Sequence, residues 1–127
     1  MQILQNYLNK KINSQKANIN KIDEDISRYE KAQDDAVEAE NGFYDAGEGM
    51  KTVVNSLQGV FEGETADALS YKMERYVALC TSRRNDMKSL TAECSRRINS
   101  LEEQKKKAQA SIDKLNEWLS FAQKINL

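Results

Sequence analysis

Few of the side chains that usually carry catalysis or bind metals occur in this sequence. The 127 residues include no histidine, which removes the most common general base and the most common metal ligand. Cys80 and Cys94 lie fourteen residues apart, a spacing that fits no zinc motif. On one helix it corresponds to about 21 Å, far beyond disulfide reach. We therefore expect reduced core cysteines, with a linkage between two chains as the alternative. We also expect no metal or other cofactor and no enzymatic activity.

Neither the glycines nor the basic residues form a recognisable ligand site. Gly42, Gly47 and Gly49 lack the lysine and the preceding strand of a phosphate-binding loop. Basic clusters at 10–11, 83–84, 96–97 and 105–107 are compatible with a nucleic-acid surface. However, 19 basic and 20 acidic residues give a net charge of −1, and Glu102 precedes Lys106 in the favourable order for pairing on one helix. We interpret the clusters as solvated helix faces and expect no nucleic-acid partner.

The composition favours long amphipathic helices. There is no proline, and hydrophobic and charged residues make up 39% and 31% of the chain. So polar a chain suits helices with a narrow buried stripe. No apolar run has the length of a membrane span, and the start, MQILQNYLNKK, does not resemble a cleavable signal peptide. We expect a single domain that does not insert into membranes and that uses no cleaved signal.

Apolar residues recur at seven-residue intervals in both halves of the sequence. This spacing predicts coiled-coil-like helices over about residues 2–58 and about residues 64–125. The predicted fold is all-α, an elongated antiparallel two-helix hairpin with arms roughly 90 Å long. The predicted seam consists of Ile22, Tyr29, Phe43, Met50 and Leu57 in the first helix and Met73, Cys80, Met87, Leu101 and Leu115 in the second.

Two glycines near the midpoint mark the predicted turn, at about residues 59–63. Gly59 and Gly63 flank Phe61, and glycine tolerates the backbone angles of a sharp reversal. We expect Phe61 to plug this end of the hairpin. Glu64 and Asp67 should lie in the first turn of the second helix, where the helix dipole favours negative charge.

Three further glycines lie inside the first predicted helix, in the stretch AENGFYDAGEGM of residues 39–50. Each destabilises a helix by about 1 kcal/mol relative to alanine, so a kink or break near residues 41–49 is one alternative. The apolar register nevertheless continues through Phe43 and Met50. We therefore favour a continuous but strained helix.

The stripes also predict polar and partner contacts. A hairpin with this turn aligns Glu40 with Arg83, and we interpret them as a register-fixing pair, with coincidence as the alternative.

The apolar stripe of the second predicted helix is three columns wide, more than one helix covers, so part of it should contact a partner. The predicted partner-binding residues are Val77, Ile98, Ile112, Trp118 and Leu119. For Trp118, core packing near the open end is the alternative.

The central segment LQGVFEGETADAL, residues 57–69, resembles the turn of the Esx (WXG-type) family of the type VII secretion system. Phe61-Glu62-Gly63 stands where that family has Trp-x-Gly, with phenylalanine as a departure from the motif. Ala66 and Leu69 stand at the small and apolar positions that follow the glycine in the family.

This chain is longer than a typical Esx protein and looks more like the small α-helical proteins that accompany LXG-domain toxins in Gram-positive bacteria. The resemblance implies a non-enzymatic targeting factor in the bacterial cytoplasm that binds the LXG domain of a toxin, another small Esx-like protein, or both, and assists export. Ile125 stands where the family's export signal would place an acidic residue after Phe121, so we expect another member of the complex to carry that signal.

Secretion of this chain together with its partner stays open. The alternative function is a self-assembling coiled-coil adaptor with no secretion role. A homodimer in isolation is compatible with both hypotheses, because an uncovered apolar stripe associates with any available apolar surface.

Overall fold

The computed structural model describes residues 2–126, which form two long helices and a short turn. α1 spans Ile3–Gln58 and α2 spans Glu64–Lys124. The two helices pack against each other, which confirms the predicted all-α helical hairpin. α1 runs without interruption through residues 41–49, and its glycines there adopt no positive φ. The alternative of a break in this stretch is therefore wrong.

The turn is closed by backbone hydrogen bonds and by one glycine. The Val60 and Phe61 amides donate to the Leu57 carbonyl at 2.9 and 3.2 Å, and the Asp67 amide donates to the Gly63 carbonyl at 3.1 Å. Gly63 has φ +63°, a left-handed conformation that favours glycine. As predicted, Glu64 and Asp67 lie in the first turn of α2.

Phe61 does not plug the end of the hairpin. Its side chain is 41% exposed, and residues 59–63 are all exposed, so the turn has no packed interior that an aromatic ring could fill. Leu57, predicted to lie in the seam, is also 37% exposed because α1 ends one residue later. The apolar seam therefore stops short of the turn.

The contacts divide the chain into two units. The first unit combines the chain up to Glu30 with the chain from Ser95 onward, and the second unit is Lys31–Cys94. Both helices contribute two seam rows, in which buried and half-buried positions alternate at intervals of three and four residues. This is the pattern of a two-stranded coiled coil.

The core of the first unit combines a leucine and three isoleucines of α1 with two alanines and an isoleucine of α2. Its buried apolar residues are Leu8, Ile12, Ile22, Ile26, Ala108, Ile112 and Ala122. The buried Gln5 donates from Nε2 to the Ala122 carbonyl at 3.5 Å. Of the other predicted seam residues in this unit, Tyr29, Leu101 and Leu115 are half-buried.

The core of the second unit is thinner. Its buried apolar side chains are Ala36, Val54, Cys80 and Cys94, and both cysteines are free, as predicted. The predicted seam residues Phe43, Met50, Met73 and Met87 are half-buried. Gly47 is also buried, and a methyl group added there would lie 3.6 Å from the Cys80 Cβ.

Four residues predicted to bind a partner lie instead in the second seam row of α2. This row consists of Val77, Arg84, Thr91, Ile98, Lys105, Ile112 and Leu119. Ile112 is only 4% exposed, and Val77, Ile98 and Leu119 are half-buried, so the hairpin uses their surface for its own packing. A two-helix seam accommodates two of the three apolar columns of α2. The remaining column stays outside.

Candidate interaction surface

A polar cluster interrupts the seam of the second unit. Glu40 Oε1 lies 3.9 Å from both Arg84 Nε and Lys88 Nζ. The Arg84 guanidinium lies over the Tyr44 ring, 4.7 Å from its centroid. Within residues 2–126, Arg84 Nε is the one buried side-chain nitrogen or oxygen atom without a hydrogen-bond partner. The ion pair is thus a close approach of charges that leaves Arg84 Nε without a hydrogen bond.

The prediction that Glu40 pairs with Arg83 is therefore wrong by one residue. Arg83 forms an ion pair with Asp86 on its own helix, at 3.6 Å. The reason is geometric, because Arg84 belongs to the second seam row whereas Arg83 lies in the column beside it. Gln33 also crosses this seam and donates from Nε2 to the Thr91 carbonyl at 3.3 Å.

The apolar column outside the seam defines one side of each unit. In α2 it comprises the residues immediately before the second seam row, and we call it the outer column. Its apolar members are Leu69, Tyr76, Leu90, Trp118 and Ile125. The equivalent outer column of α1 includes Leu4, Ala32, Ala39, Ala46 and Val53. In an antiparallel coiled coil these columns flank the same side of the seam.

In the second unit the outer columns border an apolar groove, which we call the second-unit groove. It has a volume of about 410 Å³ and is lined by Ala39, Gly42, Phe43, Ala46, Tyr76, Leu79, Cys80 and Arg83. Leu79 is 53% exposed, and a methyl group added at Gly42 would contact nothing within 4 Å. On the α1 side three of the four lining residues, Ala39, Gly42 and Ala46, are small, and the fourth, Phe43, is half-buried. Such a surface allows another helix to approach closely.

In the first unit a second groove lies along α2, and we call it the first-unit groove. It has a volume of about 410 Å³ and is lined by Lys107, Ala110, Ser111, Lys114, Leu115 and Trp118. Trp118 is 66% exposed, which supports its predicted availability for a partner and contradicts core packing. Two further aromatic residues of this unit are also exposed. Phe121 is 62% exposed, and the exposed Tyr7 has its ring centroid 5.6 Å from Lys11 Nζ.

The opposite side of the first unit is polar. Lys105 Nζ and Asp23 Oδ1 form an ion pair of 2.8 Å between the two helices. The hydrogen bond and the charge of Asp23 raise the pKa of Lys105 above its ordinary value of 10.5. A polar cleft surrounds this pair, lined by Asp23, Ile26, Ser27, Glu30, Glu102, Lys105 and Lys106. Within the first unit, the apolar groove and this polar cleft therefore lie on different sides.

The two units differ in charge. The first contains 12 basic and 8 acidic side chains, a net +4, and the second contains 7 basic and 12 acidic side chains, a net −5. The net charge of the whole chain, −1, does not show this difference between the units, because the first unit combines residues from both ends of the sequence. A signal was nevertheless visible, since residues 2–22 contain four lysines and no acidic residue.

The described residues contain no group of three or more histidine, cysteine, aspartate or glutamate side chains that could hold a metal ion. Across the same residues, neither helix has a stretch apolar enough to span a bilayer. The apolar features described above are the two grooves and the exposed aromatic residues around them. No protein-family model, curated protein or solved structure matches this chain.

Proposed function

We propose that this protein is a non-enzymatic helical partner that binds the LXG domain of a type VII secretion toxin and assists its export from the bacterial cytoplasm. The observation that carries the proposal is the second-unit groove. A helix-binding partner needs an apolar groove that its own fold leaves uncovered. Ala39, Gly42 and Ala46 provide a floor without bulk, and Tyr76 and Leu79 provide walls that a partner helix can bury.

The position and lining of the second-unit groove favour a helix as the occupant. The groove runs between α1 and α2, so a third helix placed there contacts both, as in a three- or four-helix bundle. Arg83 supplies a polar rim, which fixes orientation more than affinity. A small metabolite finds few polar groups there with which to be recognised.

The identity of the partner rests on the sequence resemblance. Phe61-Glu62-Gly63 and the positions that follow it resemble the turn of the Esx family, and the length of the chain resembles the helical companions of LXG toxins. Such a toxin begins with a long helical region, which is the kind of partner that the groove fits. Another small Esx-like protein in the same complex is compatible with the same surface.

Co-expression with the products of the neighbouring genes tests this function. We expect the wild-type protein to co-purify with an LXG-domain protein, and the double variant Tyr76→Lys/Leu79→Lys to lose this partner. The matched control, Ala78→Lys/Asn85→Lys, adds the same charge at exposed positions on the other face of α2 and should retain binding. In a producing strain that lacks this gene, toxin export should fall, and the control variant should restore it.

Two outcomes would contradict the proposal. One is an unimpaired export of the toxin without this protein. The other is a stable homo-oligomer that ignores every co-encoded protein and dissociates in the Tyr76→Lys/Leu79→Lys variant, which would establish the self-assembling adaptor instead. Sedimentation equilibrium of the purified variants distinguishes these cases.

A further inference from the structure

We infer that the first-unit groove docks an amphipathic helix whose apolar stripe is flanked by acidic residues. This inference rests on the proposed function, because it specifies the chemistry of one segment of the partner. It concerns the first unit alone and is carried by residues that the second-unit groove does not contain.

Two large aromatic residues near the end of α2 are exposed. Trp118 and Phe121 are both more than half exposed, although they are among the largest apolar side chains of the chain. They lie beside the seam, whose second row already buries Ile112 in this unit. Burying an exposed tryptophan and phenylalanine against a partner provides a large part of the binding free energy of many interfaces. The hairpin itself does not use this surface.

Small residues lie at the centre of the groove. Ala110 and Ser111 form a floor between Lys107 and Lys114 along α2, and Leu115 and Trp118 complete the lining. Lys107 and Lys114 are one heptad apart, so they match the repeat of a second helix that lies along the groove. The apolar stems of the lysines cover the side chains of the docked helix while their ammonium groups stay in water. A leucine from that helix fits over the small floor.

Charge selects the kind of helix. In α2, residues 104–124 contain five lysines and two acidic residues, and residues 2–22 of α1 contain four lysines and no acidic residue. The acidic groups of α2 here are Asp113, which accepts a hydrogen bond from Gln109 Nε2 at 3.2 Å, and Glu117. The lining of the groove contains two lysines and no acidic residue, so a helix with glutamates beside its apolar stripe meets complementary charge there. A lysine-rich helix meets repulsion.

An anionic lipid surface shares the negative charge, but the shape of the groove favours a helix. A bilayer presents a flat surface, whereas Ala110 and Ser111 are shorter than the flanking lysine and tryptophan side chains and leave a concavity of about 410 Å³ that a projecting side chain can fill. The spacing of Lys107 and Lys114 repeats with a helix and has no counterpart in fluid headgroups. Vesicles therefore serve as a comparison in the experiment.

Fluorescence of the single tryptophan provides the test, because Trp118 lies in the groove. The probes are two synthetic peptides of about 28 residues, or four heptads, with leucine at the seam positions and either glutamate or lysine at the flanking positions. Neither peptide contains tryptophan. We expect the glutamate peptide to shift the Trp118 emission to shorter wavelength and to protect it from acrylamide, and the lysine peptide to do neither.

Charge reversal supplies the control. Lys107→Glu/Lys114→Glu should weaken binding of the glutamate peptide by about tenfold or more, and higher ionic strength should weaken the wild-type complex. Lys16→Glu/Lys106→Glu makes the same charge change at exposed positions on the other side of the unit and should change affinity by about threefold or less. Circular dichroism confirms that both variants stay helical.

Equal binding of the two peptides, or no response to either, would overturn the inference. So would a Trp118 response to phosphatidylglycerol vesicles that exceeds the response to the glutamate peptide, since it would identify a lipid surface. These results are separable from the proposed function. If the LXG-domain protein co-purifies but the glutamate peptide does not bind, only this inference fails. If the peptide binds but no toxin co-purifies, the proposed function fails and this one stands.

Discussion

The glycines inside α1 provide a quantitative test of the uninterrupted helix. Gly42 and Gly49 lie within Ile3–Gln58, and a methyl group added at either contacts nothing within 4 Å. The substitutions Gly42→Ala and Gly49→Ala therefore gain helix propensity without steric cost. Each should raise the free energy of unfolding by about 1 kcal/mol. Gly47→Ala should do the same, because its new methyl group would make ordinary contact with Cys80 at 3.6 Å.

The expected shift is measurable by thermal denaturation. An unfolding entropy of about 2.1 cal/mol/K per residue gives a chain of 127 residues about 0.27 kcal/mol/K, so 1 kcal/mol corresponds to about 4 °C in Tm. Far-UV circular dichroism is the suitable assay, because both helices contribute to it. Gly63→Ala is the control of opposite sign. At φ +63° an alanine should destabilise the turn by about 1–2 kcal/mol.

The result that would refute this reasoning is a Tm that stays constant or falls for both Gly42→Ala and Gly49→Ala. Such a result would mean that residues 41–49 are not helical in solution, since propensity acts only on residues that enter the helix. Equal effects at Gly42 and Gly63 would also contradict it, because the two glycines occupy opposite regions of backbone conformation.

Other substitutions test the seam and its polar contacts. Ile112→Ala should lower the free energy of unfolding by about 3 kcal/mol, and Trp118→Ala by about 0.5 kcal/mol or less, because only Ile112 is buried. Urea denaturation measures both values, and similar losses would contradict the assignment of the seam. Replacing both partners, Glu40→Leu/Arg84→Leu, should leave the free energy of unfolding unchanged or raise it by about 1 kcal/mol, since it removes a partly buried ion pair in which Arg84 Nε has no hydrogen-bond partner; a clear loss would show that the pair is stabilising. The Asp23 contact raises the pKa of Lys105, so its contribution is present below pH 10.5 and is lost as pH rises through the folded-state pKa. Lys105→Met should therefore weaken the loss of stability at alkaline pH, and an identical pH profile would refute this.

The fold could be predicted because its determinants are periodic and local. A seven-residue repeat on both sides of Gly59 and Gly63 specifies two helices and a reversal, whatever the details of packing. The absence of proline and the acidic start of α2 agree with it. The continuous helix at residues 41–49 followed from the apolar register, which outweighed the propensity of three glycines.

The choice between neighbouring columns could not be predicted, because it depends on the partner surface across the seam. Ile112 and Trp118 both belong to the apolar stripe of α2, and only the packing against α1 decides which one is buried. For the same reason, the sequence did not show that Arg84, and not the neighbouring Arg83, would lie opposite Glu40. The basic character of the first unit escaped notice for another reason, since it arises only when both ends of the sequence are brought into one unit.

The conformation of Gly63 gives the glycine of the Phe-x-Gly segment a stereochemical cause. At φ +63° the backbone occupies a region that only achiral or mirror-image residues enter without strain. A chemically synthesised chain with D-alanine at this position should therefore form the reversal at least as well as the natural one, whereas every genetically encoded L-residue should bring a penalty. The backbone conformation at position 63 therefore constrains the chirality of the residue more than the size of its side chain.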